Sequence, residues 1–426
     1  MRRNWFIILS VILLAGLTLA QSVGRAGKAE DRAAITWVFA ERNPAVLAFY
    51  DSVIAGYRQQ HPDVTIQTRY IARFTQRLPT IVASPNKPDI MFSQGGSMLG
   101  ELYEMGAIRD LTGELPPEFL AQFTPEALAN FTYKGKIIGV PAYITRVDFY
   151  YNRRIFAKAG IDPESVRSWP DFLAVIRRLR GAGFVPIAAS PADPWTTGTY
   201  FGLFAMRTCG RARFEAVLAG RGKGYLEHCM LGAARRISEL GAAGAFQPGF
   251  AVAKYPEAMG MFGDGKAAMV HSYSAAAYND QARNAADEMG LDEADIGLLT
   301  LPGDAGITDI APEDGFGGVG GWAVMAGASD EAIGFLRFLT NDTNQRKLAA
   351  LNLNIPANAA AQGSVRSPLT REVVDAIAKS DWLQIYIENM QNPAVGQVMQ
   401  NVVVDLMSGA ITPEAAMAKI QTVAQI

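Results

Sequence analysis

Apolar positions along the chain alternate between two spacings, one typical of strands and one typical of helices. Short β-rich runs occupy residues 35–39, 64–70 and 89–92. Apolar side chains recur every three to four positions between and after these runs, which predicts helices from Pro44, from Phe74 and from about Met98. This strand–helix alternation predicts a parallel α/β unit whose ligands lie beyond the carboxyl ends of the strands.

Residues 139–152 (G-V-P-A-Y-I-T-R-V-D-F-Y-Y-N) are predicted to form a strand that stops and resumes. Pro141 fixes φ and removes a ladder donor, so we expect the sheet to stop there. Val147, Phe149 and Tyr151 then alternate with more polar positions, which predicts a second strand. The pattern suits a segment that crosses between two lobes, and one β-hairpin with an irregular bend fits it equally; the rest of the chain adds support for the crossing.

The second half of the chain repeats the α/β pattern. A capping box at residues 168–171 begins a helix, residues 185–188 form a strand, and residues 195–200 are predicted to be a loop. Residues 211–262 are mostly helical in pattern, and strands are expected before His271 and at 296–301. A Gly-, Asp- and Pro-rich loop is predicted over 303–321, with a strand resuming at Trp322 and helices covering most of the remainder.

Length and charge narrow the class of protein. A chain of 426 residues exceeds the usual size of one hydrophobic core, so two domains are expected. The chain is 49% hydrophobic and 19% charged, with a formal net charge of −2. This balance suits a soluble globular protein and supplies no basic surface for nucleic acid.

The first residues have the pattern of an export signal. Arg2 and Arg3 precede an apolar run that is short for a membrane span, and Ala20 supplies a small residue for cleavage before Gln21. We therefore expect residues 1–20 to be a signal peptide that is removed, with an uncleaved anchor as the alternative. No cysteine follows the apolar run, so a bacterial lipoprotein anchor is not expected.

The chain contains two cysteines, Cys209 and Cys229. In an exported protein such a pair favours a disulfide, and two buried free thiols are the alternative. A ring of roughly twenty residues would contribute about 3 kcal/mol in the chain-entropy model.

Motifs of catalysis are incomplete in this sequence. Residues 260–266 fit G-x-x-x-x-G-K, but Ala267 replaces the Ser or Thr that holds Mg²⁺. Gly315, Gly317 and Gly320 fit G-x-G-x-x-G but precede a strand, so a glycine-rich turn is the preferred interpretation. The three histidines have no metal-ligand spacing. We expect no enzyme activity, no cofactor and no metal.

Five short pieces resemble family 1 extracellular solute-binding proteins, the receptors of carbohydrate ABC importers. The pieces are P-D-I at 88–90, G-V-P with Y-Y-N in 139–152, F-G-D-G-K-A-A-M at 262–269, G-G-W at 320–322, and S-G with T-P-E-A-A in 408–416. Each is weak alone, but their order and spacing are specific for the family and not for the ligand. The resemblance spans roughly residues 33–426.

The resemblance implies an α/β, two-lobed periplasmic-binding-protein fold with a hinge between the lobes. The implied N-terminal lobe is 33–142 plus 323–365, and the implied C-terminal lobe is 143–322 plus 366–426. The implied function is that of a periplasmic protein, a monomer, that binds a mono- or oligosaccharide between the lobes. The implied partners are that sugar and the transmembrane subunits of an ABC permease, with no nucleic acid.

Sugar chemistry selects the candidate site residues. The C–H faces of a sugar stack on aromatic rings, and its hydroxyls suit side chains with paired donors or acceptors. Among these residues, the resemblance points to Tyr143, Gly321 and Trp322. The full set of candidates is Glu41, Asn43, Gln94, Tyr143, Thr145, Arg146, Trp195, Tyr200, Tyr273, Gly321, Trp322 and Trp382.

Three other functions remain open from the sequence. A binding protein for a polyamine or a phosphate ester would carry several acids, or clustered arginines with helix N-termini, in the same cleft. A carbohydrate-active enzyme would need two positioned carboxyl groups. A purely structural envelope protein would bind no small molecule.

Overall fold

The computed structural model describes residues 33–40, 43–71, 74–274 and 276–425. The predicted signal peptide and Glu41 lie outside these residues. Within the described part of the chain, no helix is both long and apolar enough to span a membrane.

Strands and helices alternate along the described chain. The strands are β1 (Ala33–Phe39), β2 (Val64–Tyr70), β3 (Ile90–Ser93), β4 (Thr132–Tyr133), β5 (Lys136–Ile137), β6 (Val140–Asn152), β7 (Val185–Ala188), β8 (Ala267–Tyr273), β9 (Ile296–Leu299), β10 (Gly315–Val324), β11 (Ile355–Pro356) and β12 (Leu383–Ile385). The helices are α1 (Pro44–Gln60), α2 (Phe74–Ala83), α3 (Gly96–Glu104), α4 (Pro117–Leu120), α5 (Pro125–Ala129), α6 (Arg153–Lys158), α7 (Trp169–Gly181), α8 (Trp195–Leu218), α9 (His228–Ala242), α10 (Tyr255–Gly263), α11 (Gln281–Asn284), α12 (Asp330–Leu339), α13 (Asp342–Ala350), α14 (Pro368–Lys379), α15 (Ile387–Met390), α16 (Pro393–Ser408) and α17 (Pro413–Ala424).

Seven strands form the main path of one mixed sheet, in the order β2-β1-β3-β10-β6-β8-β7. β1 is parallel to β2 and β3, and β7 is parallel to β8, which confirms the two predicted parallel units. β10 and β6 lie between these units and are antiparallel to each other. β10 is also antiparallel to β3, and β6 is antiparallel to β8. We call the part built around β1–β3 the first lobe and the part built around β7–β9 the second lobe. β6 and β10 pass from one lobe to the other.

Local sequence explains most element boundaries. Asn43 begins α1 by accepting a hydrogen bond from the backbone N–H of Ala45, 2.9 Å away, and Pro44 follows at the first helical position. Ser168 and Thr412 cap α7 and α17 in the same way. Gly409 ends α16 with φ of 73°, a conformation that favours glycine.

The break predicted at Pro141 is wrong, because β6 runs without interruption from Val140 to Asn152. Pro141 pairs with Gly321. The register between β6 and β10 shifts between Gly320 and Gly321, which indicates a β-bulge at this point. Such a bulge is one of the few places in a sheet where a residue without an N–H is tolerated.

Two predicted loops are also wrong. Residues 315–321 belong to strand β10 rather than to a glycine-rich turn, since the five glycines among them let this strand lie close against β6. Residues 195–200 form the first turns of α8. Threonine and aromatic residues have low helix propensity, but here tertiary packing outweighs it.

The two cysteines form a disulfide, as predicted, with Cα atoms 4.9 Å apart. Cys209 precedes Gly210, which interrupts α8 with φ of 69°, and Cys229 lies in the first turn of α9. The hydroxyl of Thr208 donates to the carbonyl of Cys229 over 2.8 Å, so a second bond supports the same junction.

Candidate functional site

The carboxyl ends of strands from both lobes meet beside the crossing strands. Ser93, at the end of β3, pairs with Gly321 of β10, and Tyr273, at the end of β8, pairs with Val147 of β6. The polar edge of each lobe therefore faces the same region, which we call the cleft. Open α/β sheets bind their ligands at such edges.

The second-lobe wall is a concave surface formed by the ends of β7 and β8 and the starts of α8 and α10. Its lining, as far as the described residues show it, combines aromatic rings with hydroxyl groups and carries no charged side chain. The principal lining residues are Ser190, Trp195, Thr199, Tyr200, Tyr255, His271, Ser272 and Tyr273. Three predicted residues, Trp195, Tyr200 and Tyr273, are thus brought together.

Trp195 and Tyr255 present a pair of rings at this wall. Their centroids lie 5.0 Å apart, and Trp195 remains 45% exposed although α8 holds its backbone. Tyr255 is fixed from both ends, because its N–H donates to Asp193 and its hydroxyl donates to Asp280, each over 2.7 Å. The result is a rigid aromatic surface of the kind on which a sugar ring stacks.

The acid behind this surface is paired within the protein. Asp280 accepts hydrogen bonds from Tyr255 and from Arg283, which lies 2.7 Å away. Burial raises the pKa of Asp280, and the hydrogen bond from Tyr255 and the charge of Arg283 oppose that rise. Asp280 therefore positions Tyr255 and leaves no unpaired charge at the wall.

His271 lies at the wall between two aromatic rings, 4.7 Å from Phe149 and 4.2 Å from Tyr200. Burial lowers the pKa of His271 to about 3, because the apolar surroundings disfavour the imidazolium form. The imidazole is thus neutral near pH 7. Burial also raises the pKa of the Tyr200 hydroxyl, so that group stays protonated.

The first-lobe wall follows β3 and the start of α3. The described residues that line it are Phe74, Leu78, Met91, Phe92, Ser93, Gln94, Gly95, Met98, Leu99 and Leu102, none of which is charged. The predicted residue Gln94 is exposed there, and its carbonyl accepts a hydrogen bond from Asn130 over 2.7 Å. Asn43 lies at the cap of α1, and its side chain is engaged by Ala45.

Tyr143 and Thr145 lie on β6 where it crosses between the lobes. A Cβ atom on Gly320 would come within 2.1 Å of the Tyr143 ring, so that ring packs directly on the glycine. The hydroxyls of Thr145 and Tyr386 lie 3.0 Å apart and share a hydrogen bond. Both predicted residues are half-buried at the base of the cleft.

Four other predicted residues are buried in the structure, and their contact with a solute stays a prediction. Trp322 is 2% exposed, and its ring contacts Trp37 at a centroid distance of 4.9 Å in the first-lobe core. Trp382 packs on Phe214 in the second-lobe core. Arg146 and Gly321 are also buried, the first in an ion pair and the second against the backbone of β6.

Sequence reasoning missed Tyr255, Thr199 and His271. His271 comes two residues before the predicted Tyr273, and that spacing on a strand was the signal that could have identified it. Tyr255 begins a helix far from the other residues in sequence, so no local pattern indicates its role. Among the described residues, no group of three or more histidine, cysteine or acidic side chains could hold a metal ion.

The lobes also touch across the cleft through α3 and the segment after α15. The hydroxyl of Ser97 donates to the carbonyl of Gln391 over 3.2 Å. Glu388, in α15, faces the neutral side chains of Tyr225, Tyr386 and Gln400, and its Oε2 is buried without a partner among the described residues. Burial raises the pKa of Glu388 from 4.5 to about 7.

We expect Glu388→Gln to remove a pH dependence of stability. Between pH 4.5 and 7 the folded state holds a proton on Glu388 that the unfolded state has released, so the free energy of unfolding falls as pH rises through this window. The variant should gain about 2 kcal/mol relative to the wild type at pH 8 and little at pH 4. Urea titrations at both pH values measure this, with the exposed Glu118→Gln as control. An equal effect of Glu388→Gln at both pH values would contradict it.

The fold and cleft define a two-lobed solute receptor of ABC transport. Residues 43–346 match the family profile of bacterial extracellular solute-binding proteins, and the chain belongs to this family. This confirms the resemblance drawn from the five sequence pieces. The family is one of solute-binding proteins.

Solved structures match nearly the whole chain. A chitin oligosaccharide binding protein superposes with a TM-score of 0.81 at 22% identity, over 93% of this chain and 98% of that one. A protein from a study of xylan utilisation by Caldanaerobius polysaccharolyticus superposes with a TM-score of 0.80 at 23% identity. The superposition covers 91% of this chain and 99% of that one. These similarities confirm the predicted two-lobed fold.

Curated relatives match smaller parts. The sn-glycerol-3-phosphate-binding periplasmic protein of Salmonella paratyphi A is 25% identical over 68% of this chain and 66% of its own length. A putative binding protein of Brucella abortus (strain 2308) is 24% identical over 40% of this chain, and the match spans only 41% of that relative. The arabinooligosaccharide-binding protein of Bacillus subtilis (strain 168) is 20% identical over 48% of this chain and 47% of its own length.

Proposed function

We propose that this protein is exported to the periplasm, binds a neutral sugar in the cleft, and delivers it unchanged to an ABC permease. The observation that carries this proposal is the second-lobe wall, where the exposed ring of Trp195 and the half-buried ring of Tyr255 stand beside hydroxyl groups, and none of the described lining residues is charged. Stacking surfaces and uncharged hydrogen-bonding groups match the two kinds of surface that a sugar presents. The names of the chitin oligosaccharide and arabinooligosaccharide receptors support a carbohydrate solute.

A phosphate ester is the second candidate, because one relative binds sn-glycerol-3-phosphate. Phosphate recognition relies on arginine or lysine side chains or on helix N-termini. The starts of α3, α8 and α10 lie at these walls, but their described lining contains neither arginine nor lysine to pair with a phosphate charge. Arg146 is committed to Asp148 at 2.8 Å. This composition favours a neutral solute. It also offers no pair of carboxyl groups for glycoside hydrolysis.

The mechanism follows from the crossing strands. β6 and β10 join the lobes, so rotation about them opens or closes the cleft. A sugar that contacts both walls only in the closed form stabilises that form, and a shift from 1:99 to 99:1 needs about 5.5 kcal/mol of differential binding. The closed form would then be the one that the permease recognises.

A ligand screen tests the proposal. The panel contains D-galactose, xylobiose, N,N′-diacetylchitobiose, raffinose and an arabinotriose, with sn-glycerol-3-phosphate and spermidine as charged comparators. A solute that binds only the native state raises the melting temperature by mass action. We expect a saccharide to raise it and the charged compounds to leave it unchanged. A response to sn-glycerol-3-phosphate or spermidine alone, or release of product from any saccharide, would overturn the proposal.

We expect Trp195→Ala to weaken binding of the responding saccharide at least tenfold, which corresponds to about 1.4 kcal/mol. The ring contributes a stacking face, and because it is 45% exposed its removal should leave the fold stable. Isothermal titration calorimetry measures the affinity. Leu226→Ala is the matched control, since Leu226 is 49% exposed in the same lobe but does not line the cleft. Unchanged affinity for Trp195→Ala would remove the stacking role.

A further inference from the structure

Two polar atoms at the second-lobe wall are buried and have no hydrogen-bond partner among the described residues. They are the hydroxyl of Tyr200 and Nε2 of His271. Both residues line the wall, and their rings pack 4.2 Å apart. A buried polar atom without a partner costs about 1–3 kcal/mol. At the wall of a binding cleft, such a pair indicates a partner that the protein itself does not supply.

The hydrogen bonds of Thr199 favour one position for the proton on the His271 ring. The hydroxyl of Thr199 has one hydrogen, and its oxygen lies 2.7 Å from the carbonyl of Thr196, which can only accept. The shorter contact assigns the Thr199 hydrogen to Thr196, which leaves the Thr199 oxygen, 3.3 Å from Nδ1 of His271, as an acceptor for that nitrogen. The imidazole thus carries its hydrogen on Nδ1, and Nε2 presents a lone pair. Tyr200 presents an O–H.

We propose that Tyr200 and His271 form a subsite that reads one hydroxyl group of the solute, an inference that rests on the proposed function. A hydroxyl can donate to Nε2 of His271 and accept from the phenol of Tyr200 at the same time. A hydroxyl is therefore the simplest solute group that can form a hydrogen bond with each of the two unpaired atoms. Ser190, Thr196 and Ser272 surround the pair with further neutral groups.

Other solute groups satisfy only part of this subsite. A phosphate or carboxylate oxygen accepts from Tyr200 but faces the lone pair of His271, which repels it. An ammonium group donates to His271 but leaves the hydrogen of Tyr200 without an acceptor. An ether oxygen cannot donate to His271. Since a site built to bond a hydroxyl strongly rejects an analogue that lacks it, the pair is a specificity determinant within the cleft.

Tyr200→Phe tests the proposal because it removes one oxygen atom and keeps the ring. Tyr225→Phe is the matched control, since the Tyr225 hydroxyl is also buried without a partner among the described residues but does not line the cleft. Both variants are titrated calorimetrically with the saccharide that gives the lowest Kd among D-galactose, xylobiose, N,N′-diacetylchitobiose, raffinose and arabinotriose. We expect Tyr200→Phe to raise the Kd at least tenfold and Tyr225→Phe to change it less than twofold.

A second variant addresses His271 without touching its ring. Thr199→Val removes the acceptor that holds the proton on Nδ1, so Nε2 can take the proton and lose its role as an acceptor. We expect at least a fivefold rise in Kd, with folding verified by the melting temperature without ligand. If the wild type binds a saccharide and Tyr200→Phe binds it equally well, the two atoms bond only to water. The subsite is then wrong, while the proposed function stands. If the wild type binds none of the saccharides, the proposed function fails and this inference fails with it.

Discussion

Replacing Arg146 by methionine is expected to lower the free energy of unfolding by about 3–5 kcal/mol. The guanidinium is 1% exposed and donates to Asp148 over 2.8 Å and to the carbonyl of Glu313 over 2.7 Å. Burial already raises the pKa of Asp148, and the charge of Arg146 opposes that rise. Without Arg146, the carboxyl group remains buried with its nearest counter-charge removed.

The loss should depend on pH in a defined direction. In the variant, the pKa of Asp148 is raised further above its unfolded value by burial, so the folded state retains a proton that the unfolded state releases. Stability then falls as pH rises, and the deficit relative to the wild type should be larger at pH 8 than at pH 5. Urea denaturation at both pH values measures it.

Arg346→Met is the matched control for Arg146→Met. Arg346 pairs with Asp342 on the exposed face of α13 at 2.7 Å, and exposed pairs of this kind contribute about 0.3–0.5 kcal/mol. A variant at Arg146 that unfolds like the wild type but no longer binds a saccharide would contradict the structural role. That outcome would support the ligand contact that the sequence analysis predicted for Arg146.

Arg146 and Trp322 show why residue type did not separate core from cleft. Planar side chains that suit a sugar also suit a packed interior, and a sequence records no exposure. Trp322 faces Trp37, a residue far away in sequence, so its burial depends on a strand pairing that no local pattern contains. Conversely, Tyr255 reaches the cleft only because α10 packs beside the end of β8.

Local signals predicted the elements that local physics controls. The capped helices and the period-two strands of the first lobe came out as expected, because caps and side-chain periodicity act within a few residues. The run of glycines at 315–321 was misassigned, because glycine is typical of turns and only the pairing with β6 makes it a strand. The predicted division of the chain between the lobes remains a prediction.

Gly317→Ala, in β10, is the second substitution that we expect to lower the free energy of unfolding strongly. A Cβ atom at Gly317 would come 1.9 Å from the carbonyl oxygen of Thr145 and 3.0 Å from Cα of Arg146. Both neighbours belong to the backbone of β6, which cannot rotate away as a side chain can. The two crossing strands would have to separate, at a cost of about 3 kcal/mol or more.

Gly363→Ala is the control for Gly317→Ala, because a Cβ atom at Gly363 meets nothing within 4 Å and its φ is not in the left-handed region. We expect the control to melt within about 2 °C of the wild type, as benign surface substitutions do. Gly317→Ala should melt about 4 °C lower, because the large entropy of unfolding of a chain this long holds the shift in melting temperature to little more than about 1 °C per kcal/mol. Equal melting temperatures for the two variants would show that β6 and β10 do not approach each other this closely, and the lobes would then be joined less tightly than this strand pairing requires.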